Sequence, residues 1–106
     1  MLIYNVTIHI APSAEADFVA WMQNEHIQEV LATQCFHKAI FLKNQTENTE
    51  KYGAYTCQYF CATATDLDHY YQEFAPALRQ KGQQKFGEAM VGTRTEFQVL
   101  AAFENP

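Results

Sequence analysis

The sequence predicts an α+β domain in the order β, α, β, β, α, β, with four antiparallel strands and two helices over one face of the sheet. Three observations predict it. LIYNVTIHI at 2–10 alternates strictly with period two, and residues 52–62 alternate in the same way after a short polar connection. Two intervening stretches carry apolar residues at helical spacing. At 106 residues, 48% of them hydrophobic, the chain suits one domain over 1–106, burying roughly 60% or more of the surface its unfolded form exposes.

In the first strand Leu2, Tyr4, Val6, Ile8 and Ile10 share one face, and Ile3, Asn5, Thr7 and His9 share the other. Pro12 and Ser13 punctuate; Ser13 is the expected N-cap, with Glu15 and Asp17 favourable in the first turn. The helix that follows runs toward Thr33. Its apolar residues do not form one stripe: at about 100° per residue, Phe18, Val19 and Met22 centre on one side, and Ile27, Val30 and Leu31 roughly 130° further round. A straight helix cannot bury both groups on one face, so the segment bends or breaks near Asn24.

Residues 36–44 read as a second strand, 45–51 as a polar connection, and about Tyr52 to Ala62 as a third strand forming a hairpin with the second. Thr65 and Asp68 resemble a capping box. Leu67, Tyr70, Tyr71, Phe74 and Leu78 make a core-facing stripe in the next helix. Pro76 lacks an amide donor, so it kinks this helix or starts a new one. Gly87 ends the helical run, and 90–103 is the last strand.

This order is the split unit of a ferredoxin-like fold, and right-handed crossovers place the first and third strands in the centre. With Leu2, Tyr4, Val6, Ile8, Cys57 and Tyr59 toward the helices, the open face carries Asn5, Thr7, His9, Thr56, Gln58 and Phe60. The set Gly92, Arg94, Glu96, Gln98 and Leu100 of the last strand is expected to join it. Buried unpaired ions are costly, so this face is either hydrated, as antiparallel sheets permit, or covered by a second subunit around a partly polar cavity. Ile3, Phe41, Phe60 and Leu100, also assigned there, form an apolar patch that favours the second subunit.

The combination YNVT at 4–7, WM at 21–22, EH at 25–26, EVLAT at 29–33, QY at 58–59, AP and LR within 75–79 and RT at 94–95 resembles a small bacterial family of unknown function, similar to the dimeric α+β barrel superfamily. The resemblance implies a ferredoxin-like subunit and a homodimer formed through the sheets, without implying a reaction. Gln28 stands where the family pattern often has proline.

Several function classes are disfavoured. A net charge of −5 with dispersed Lys and Arg repels a phosphate backbone, so no nucleic-acid partner is expected. No run of about 18 apolar residues could span a membrane, and no signal peptide opens the chain, so the expected address is cytoplasmic. Cys35, Cys57 and Cys61 are odd in number and read as apolar filler. Neither a nucleophile elbow nor a phosphate loop is present, and Glu25 and His26, about 100° apart on a helix, do not suit a metal; no metal or cofactor is expected.

The candidate ligand-binding residues are Asn5, His9, Trp21, Glu25, His26, Gln58, Arg94 and Glu96. The expected function is a homodimeric domain binding a small organic ligand, or an interaction module, with its cavity on the open sheet face. The alternative is a cofactor-independent enzyme of monooxygenase or isomerase type, with His26 or His9 as general base and Arg94 steadying a developing anion. Against both stands a structural role, in which Trp21 packs and Glu25 or His26 satisfies backbone groups freed at the bend.

Overall fold

Strand β1 (Leu2–Ile10) has the boundaries its alternation predicts. A computed structural model describes residues 1–47 and 49–106 of the chain. β1 is followed by helix α1 (Glu15–Trp21), a wide turn (Met22–His26), α2 (Ile27–Ala32), β2 (Lys38–Lys43), β3 (Gly53–Cys61), α3 (Ala64–Glu73), α4 (Ala75–Phe86) and β4 (Met90–Gln98). The strands lie in the order β2-β3-β1-β4, all neighbours antiparallel, with β1 and β3 central as the crossover rule requires. Residue 48, in the polar connection 45–51, lies outside the described residues.

The expected bend is a wide helical turn that leaves the helix continuous. The Ile27 N–H donates to the Met22 carbonyl five residues back, where a regular helix would use four. One extra residue in a turn rotates everything after it by about 100°. Both apolar groups thereby reach the same core, with Phe18, Met22 and Val30 essentially inaccessible. Gln28 supports the turn, its side-chain amide donating to the Gln23 carbonyl at 3.1 Å.

Two helix starts differ from expectation. Ser13 does not cap α1; a single tight turn at Pro12–Ala14 leads into it. For α3 the cap is Thr63, two residues before the expected Thr65, its hydroxyl accepting from the Asp66 N–H at 3.2 Å. Pro76 begins a new helix, sitting in the first turn of α4 where no amide hydrogen is needed.

The last strand is shorter than expected. β4 ends at Gln98 because its partner β1 begins at Leu2; one further bond runs from the Val99 N–H to the Met1 carbonyl, and residues 99–106 have no strand beside them. The core lies wholly between sheet and helices, centred on Tyr4, Phe18, Met22, Phe36, Tyr59 and Tyr70.

Register corrects the assignment of faces. Val6 pairs with Arg94, Tyr4 with Glu96 and Ile8 with Gly92. Directly opposed residues share a face, so Arg94 and Glu96 lie on the helix side and not on the open face. Val91, Thr93, Thr95 and Phe97 take the open side instead. Phe41 pairs with Cys57 and also faces the helices, where it stacks on Tyr55 with ring centres 5.6 Å apart. Leu100 lies beyond the strand.

Candidate functional site

The polar groups converge on the helix side of the sheet. Tyr4 is 2% exposed, and its hydroxyl accepts two hydrogen bonds: from Arg79 Nη2 at 3.1 Å and from Arg94 Nε at 3.0 Å. β1 places Tyr4 in the centre of the sheet, α4 carries Arg79 one residue after the buried Leu78, and β4 carries Arg94. Tyr4 is also held by rings on several sides, Phe36 stacked at 5.9 Å and Tyr71 edge-on at 5.5 Å. A tyrosine fixed in this way is a rigid post for two guanidinium groups.

Beside this post lies a small, partly enclosed cavity of about 50 Å³. Tyr4, Trp21, His26, Arg79 and Arg94 bring its polar atoms. Met22, Tyr59, Tyr70 and Met90 supply apolar and aromatic wall. Gly82 of α4 admits the indole: a Cβ there would stand 3.3 Å from Trp21 Cη2 and 3.1 Å from Met90 Cε. Phe86 closes the other side of the indole, edge-on at 5.4 Å.

His26 stacks on Trp21 with ring centres 4.4 Å apart and planes 20° from parallel. Its Nδ1 is shut off from solvent and has no hydrogen-bond partner among the described residues. Burial lowers its pKa from 6.5 to about 4; Glu29 opposes the shift, while Lys81 and Arg94 add to it. At neutral pH the imidazole is uncharged. Glu29 itself is engaged by Lys81, 2.7 Å away. Burial also pushes the Tyr59 and Tyr70 phenols well above their ordinary range, so both stay protonated.

Of the sequence-predicted residues, the cavity brings together Trp21, His26 and Arg94. Asn5 and Gln58 oppose each other on the open face, where the Asn5 amide reaches only Thr7 Oγ1 at 3.4 Å. His9 is on that face too, its ring against Tyr52 at 4.4 Å and its Nε2 3.6 Å from a Glu47 carboxylate oxygen. Glu25 projects outward beside Lys85 and Asp17. Glu96 accepts from the Tyr71 hydroxyl at 3.1 Å, near the cavity but outside its lining. The cavity expected on the open face is therefore within one subunit, between sheet and helices. Tyr4, Arg79 and Gly82 escaped sequence reasoning: Tyr4 looks like one more core aromatic, and Arg79 follows the stripe residue Leu78 as any surface cation might.

A family model described as "Domain of unknown function (DUF4286)" matches residues 1–100. The chain belongs to this family. No curated protein matches the sequence. Among solved structures, the DUF4286 chain is similar to an EthD family protein from Bacillus halodurans C-125, with a TM-score of 0.69 and 11% identity over 94% of this chain and 100% of that one. It is also similar to a dimeric ferredoxin-like protein from an uncultured marine organism, with a TM-score of 0.64 and 12% identity over 99% and 100%. A protein from Bordetella bronchiseptica, proposed to be an antibiotic biosynthesis monooxygenase, gives a TM-score of 0.66 and 17% identity over 94% and 98%. At such identities the likeness establishes the ferredoxin-like fold of this DUF4286 domain and leaves its chemistry to the site itself.

Proposed function

We propose that this protein binds a small organic molecule in the cavity between its sheet and its helices, and that it does so as a homodimer. The observation that carries the reading is the convergence of Arg79 and Arg94 on the Tyr4 hydroxyl beside an aromatic wall and an unpartnered His26 Nδ1. A purely structural role accounts for packed aromatics but not for a half-buried, uncharged imidazole whose Nδ1, shut off from solvent, is left without a partner at a cavity wall. Trp21 is the chain's one tryptophan and lines the cavity, so its emission reports occupancy directly. Native mass spectrometry of protein taken from cells, followed by titration of any retained molecule against Trp21 emission, tests the reading. A small molecule that co-purifies and shifts the emission supports it; a set of bound molecules that leave the indole unaffected overturns it.

Homodimer formation is supported by the open face. Leu42, Val91 and Phe97, on the two edge strands of that face, are 41%, 60% and 50% exposed in the single chain, apolar side chains that a second copy would cover, and several solved neighbours are described as dimeric. Three free cysteines suit a reducing, cytoplasmic setting. No helix among the described residues is long and apolar enough to cross a membrane.

A second reading, cofactor-independent catalysis of monooxygenase or isomerase type, is favoured by the same imidazole. His26 would remove a proton from the bound molecule while Arg79 and Arg94 steady the anion. A pKa of about 4 makes His26 a weak base in the free protein, which places binding ahead of catalysis.

A further inference from the structure

Resting on the cavity reading, we infer that the ligand is a planar organic acid, its ring against the aromatic wall and its carboxylate held by Arg79, Arg94 and Tyr4, and that it enters between α4 and β4. The charges carry the first half. Arg79 and Arg94 are the only formally charged residues in the cavity lining once His26 is neutral, and no carboxylate lines it. Among the described residues the close contacts of carboxylates with basic side chains are Lys81 with Glu29 and, at 3.6 Å, His9 with Glu47; neither arginine has a carboxylate partner. Two guanidinium groups in a chain of net charge −5 thus share one neutral hydroxyl, a poor substitute for the anion that their donors suit.

Tyr4 adds to this. A hydroxyl has two acceptor sites and one proton. Both arginines occupy the acceptor sites, and no acceptor among the described residues takes the proton. One atom of the protein therefore gathers three donors around it, an arrangement that rewards a carboxylate and offers little to a neutral amide. The rings of Trp21, Tyr59 and Tyr70 select a flat apolar body for that carboxylate.

The route follows from what lies outside. A second, more open hollow shares Arg79, Arg94, Ile8 and Met90 with the cavity and is completed by residues such as Pro76 and Gln83. The same arginine pair therefore stands between solvent and cavity. Gly92 lies in the hollow with no side chain; a Cβ there would meet nothing closer than 3.9 Å, so the space is unfilled for want of an atom and not for lack of room. A carboxylate arriving through this hollow meets Arg79 and Arg94 first and draws them from Tyr4 as its ring passes inward.

The test titrates the full chain, following Trp21 emission, with benzoate, with its neutral counterpart benzamide and with inorganic phosphate. Benzoate is expected to bind about ten- to a hundredfold more tightly than benzamide, with phosphate failing to compete. Arg79→Gln and Arg94→Gln should each weaken benzoate by a larger factor than benzamide; Gly92→Leu should slow benzoate association in stopped-flow while thermal unfolding stays at the parent value. Equal affinities for benzoate and benzamide overturn the acid and leave the cavity reading standing. Effective competition by phosphate overturns the planar body, and an unaltered association rate in Gly92→Leu overturns the route. If neither aromatic compound perturbs Trp21, the cavity reading falls and this inference with it.

Discussion

The imidazole of His26 stacks on the indole of Trp21, ring centres 4.4 Å apart and planes 20° from parallel. On a regular helix, residues five apart point about 140° away from one another and cannot stack. The wide turn at Met22–His26 removes that divergence, and its Ile27 to Met22 hydrogen bond is the backbone mark of it. Deleting one residue from the turn, for instance Asn24, would restore regular spacing and separate the rings. Such a variant is expected to lose the fluorescence response of Trp21 to ligand and to destabilise the protein, because Ile27 and Val30 rotate off the core. Retained stability and response in the deletion variant would contradict this role of the turn.

His26 sets a pH dependence of stability. Its pKa is lowered on folding from 6.5 to about 4, so between these values the unfolded chain binds the proton more readily. The contribution is complete above about pH 6.5, is lost progressively as pH falls toward 4, and amounts to at most about 3 kcal/mol. Urea unfolding of parent and His26→Leu at pH 4.5, 5.5 and 7 measures it. The difference in stability between the two should change across this interval in favour of the parent at pH 7; parallel pH profiles would show that the imidazole titrates normally.

Tyr4→Phe removes the hydroxyl on which two guanidinium groups rest while keeping the ring contacts. Expected losses are about 1–3 kcal/mol of stability, the range for hydrogen bonds to charged groups, together with weaker binding of anionic ligands. Equilibrium denaturation checks the first and Trp21 emission the second.

Gly82→Ala separates stability from site shape. Alanine is better than glycine inside a helix by about 1 kcal/mol, and Met90 Cε, the end of a flexible side chain, can move away from the new methyl. Trp21 Cη2, 3.3 Å away, belongs to a rigid ring backed by Phe86 and must shift toward the cavity. Thermal unfolding is expected within about 1 kcal/mol of the parent, and ligand affinity reduced. Unchanged affinity would mean that the indole does not define the cavity wall.

Phe97→Glu addresses the dimer. Phe97 is half exposed in the single chain and lies on the open face, opposite Ile3 of β1. A carboxylate there should leave the subunit folded and convert the parent's sedimentation to that of a 12.2 kDa species. If the parent already sediments as a monomer at high concentration, the homodimer proposal fails.

Element order, β1 to the residue, the central position of β1 and β3, the irregularity near Asn24 and an interruption at Pro76, whether kink or new helix, were legible in the sequence, because each follows from local chemistry: alternation, helical spacing, a missing amide hydrogen. Trp21 and His26 stood out for the same reason. Which face β4 turns to the helices is a matter of register. A shift of one residue exchanges both faces; the sequence reading put Arg94 and Glu96 on the open face, whereas pairing with β1 turns them to the helix side, where Arg94 reaches the Tyr4 hydroxyl and Glu96 accepts from Tyr71. Only the folded chain decided that Arg79 and Arg94, 75 and 90 positions beyond Tyr4 along the chain, meet at its hydroxyl oxygen. No local pattern encodes that meeting; it exists because a central strand, a helix and an edge strand close on the same cavity.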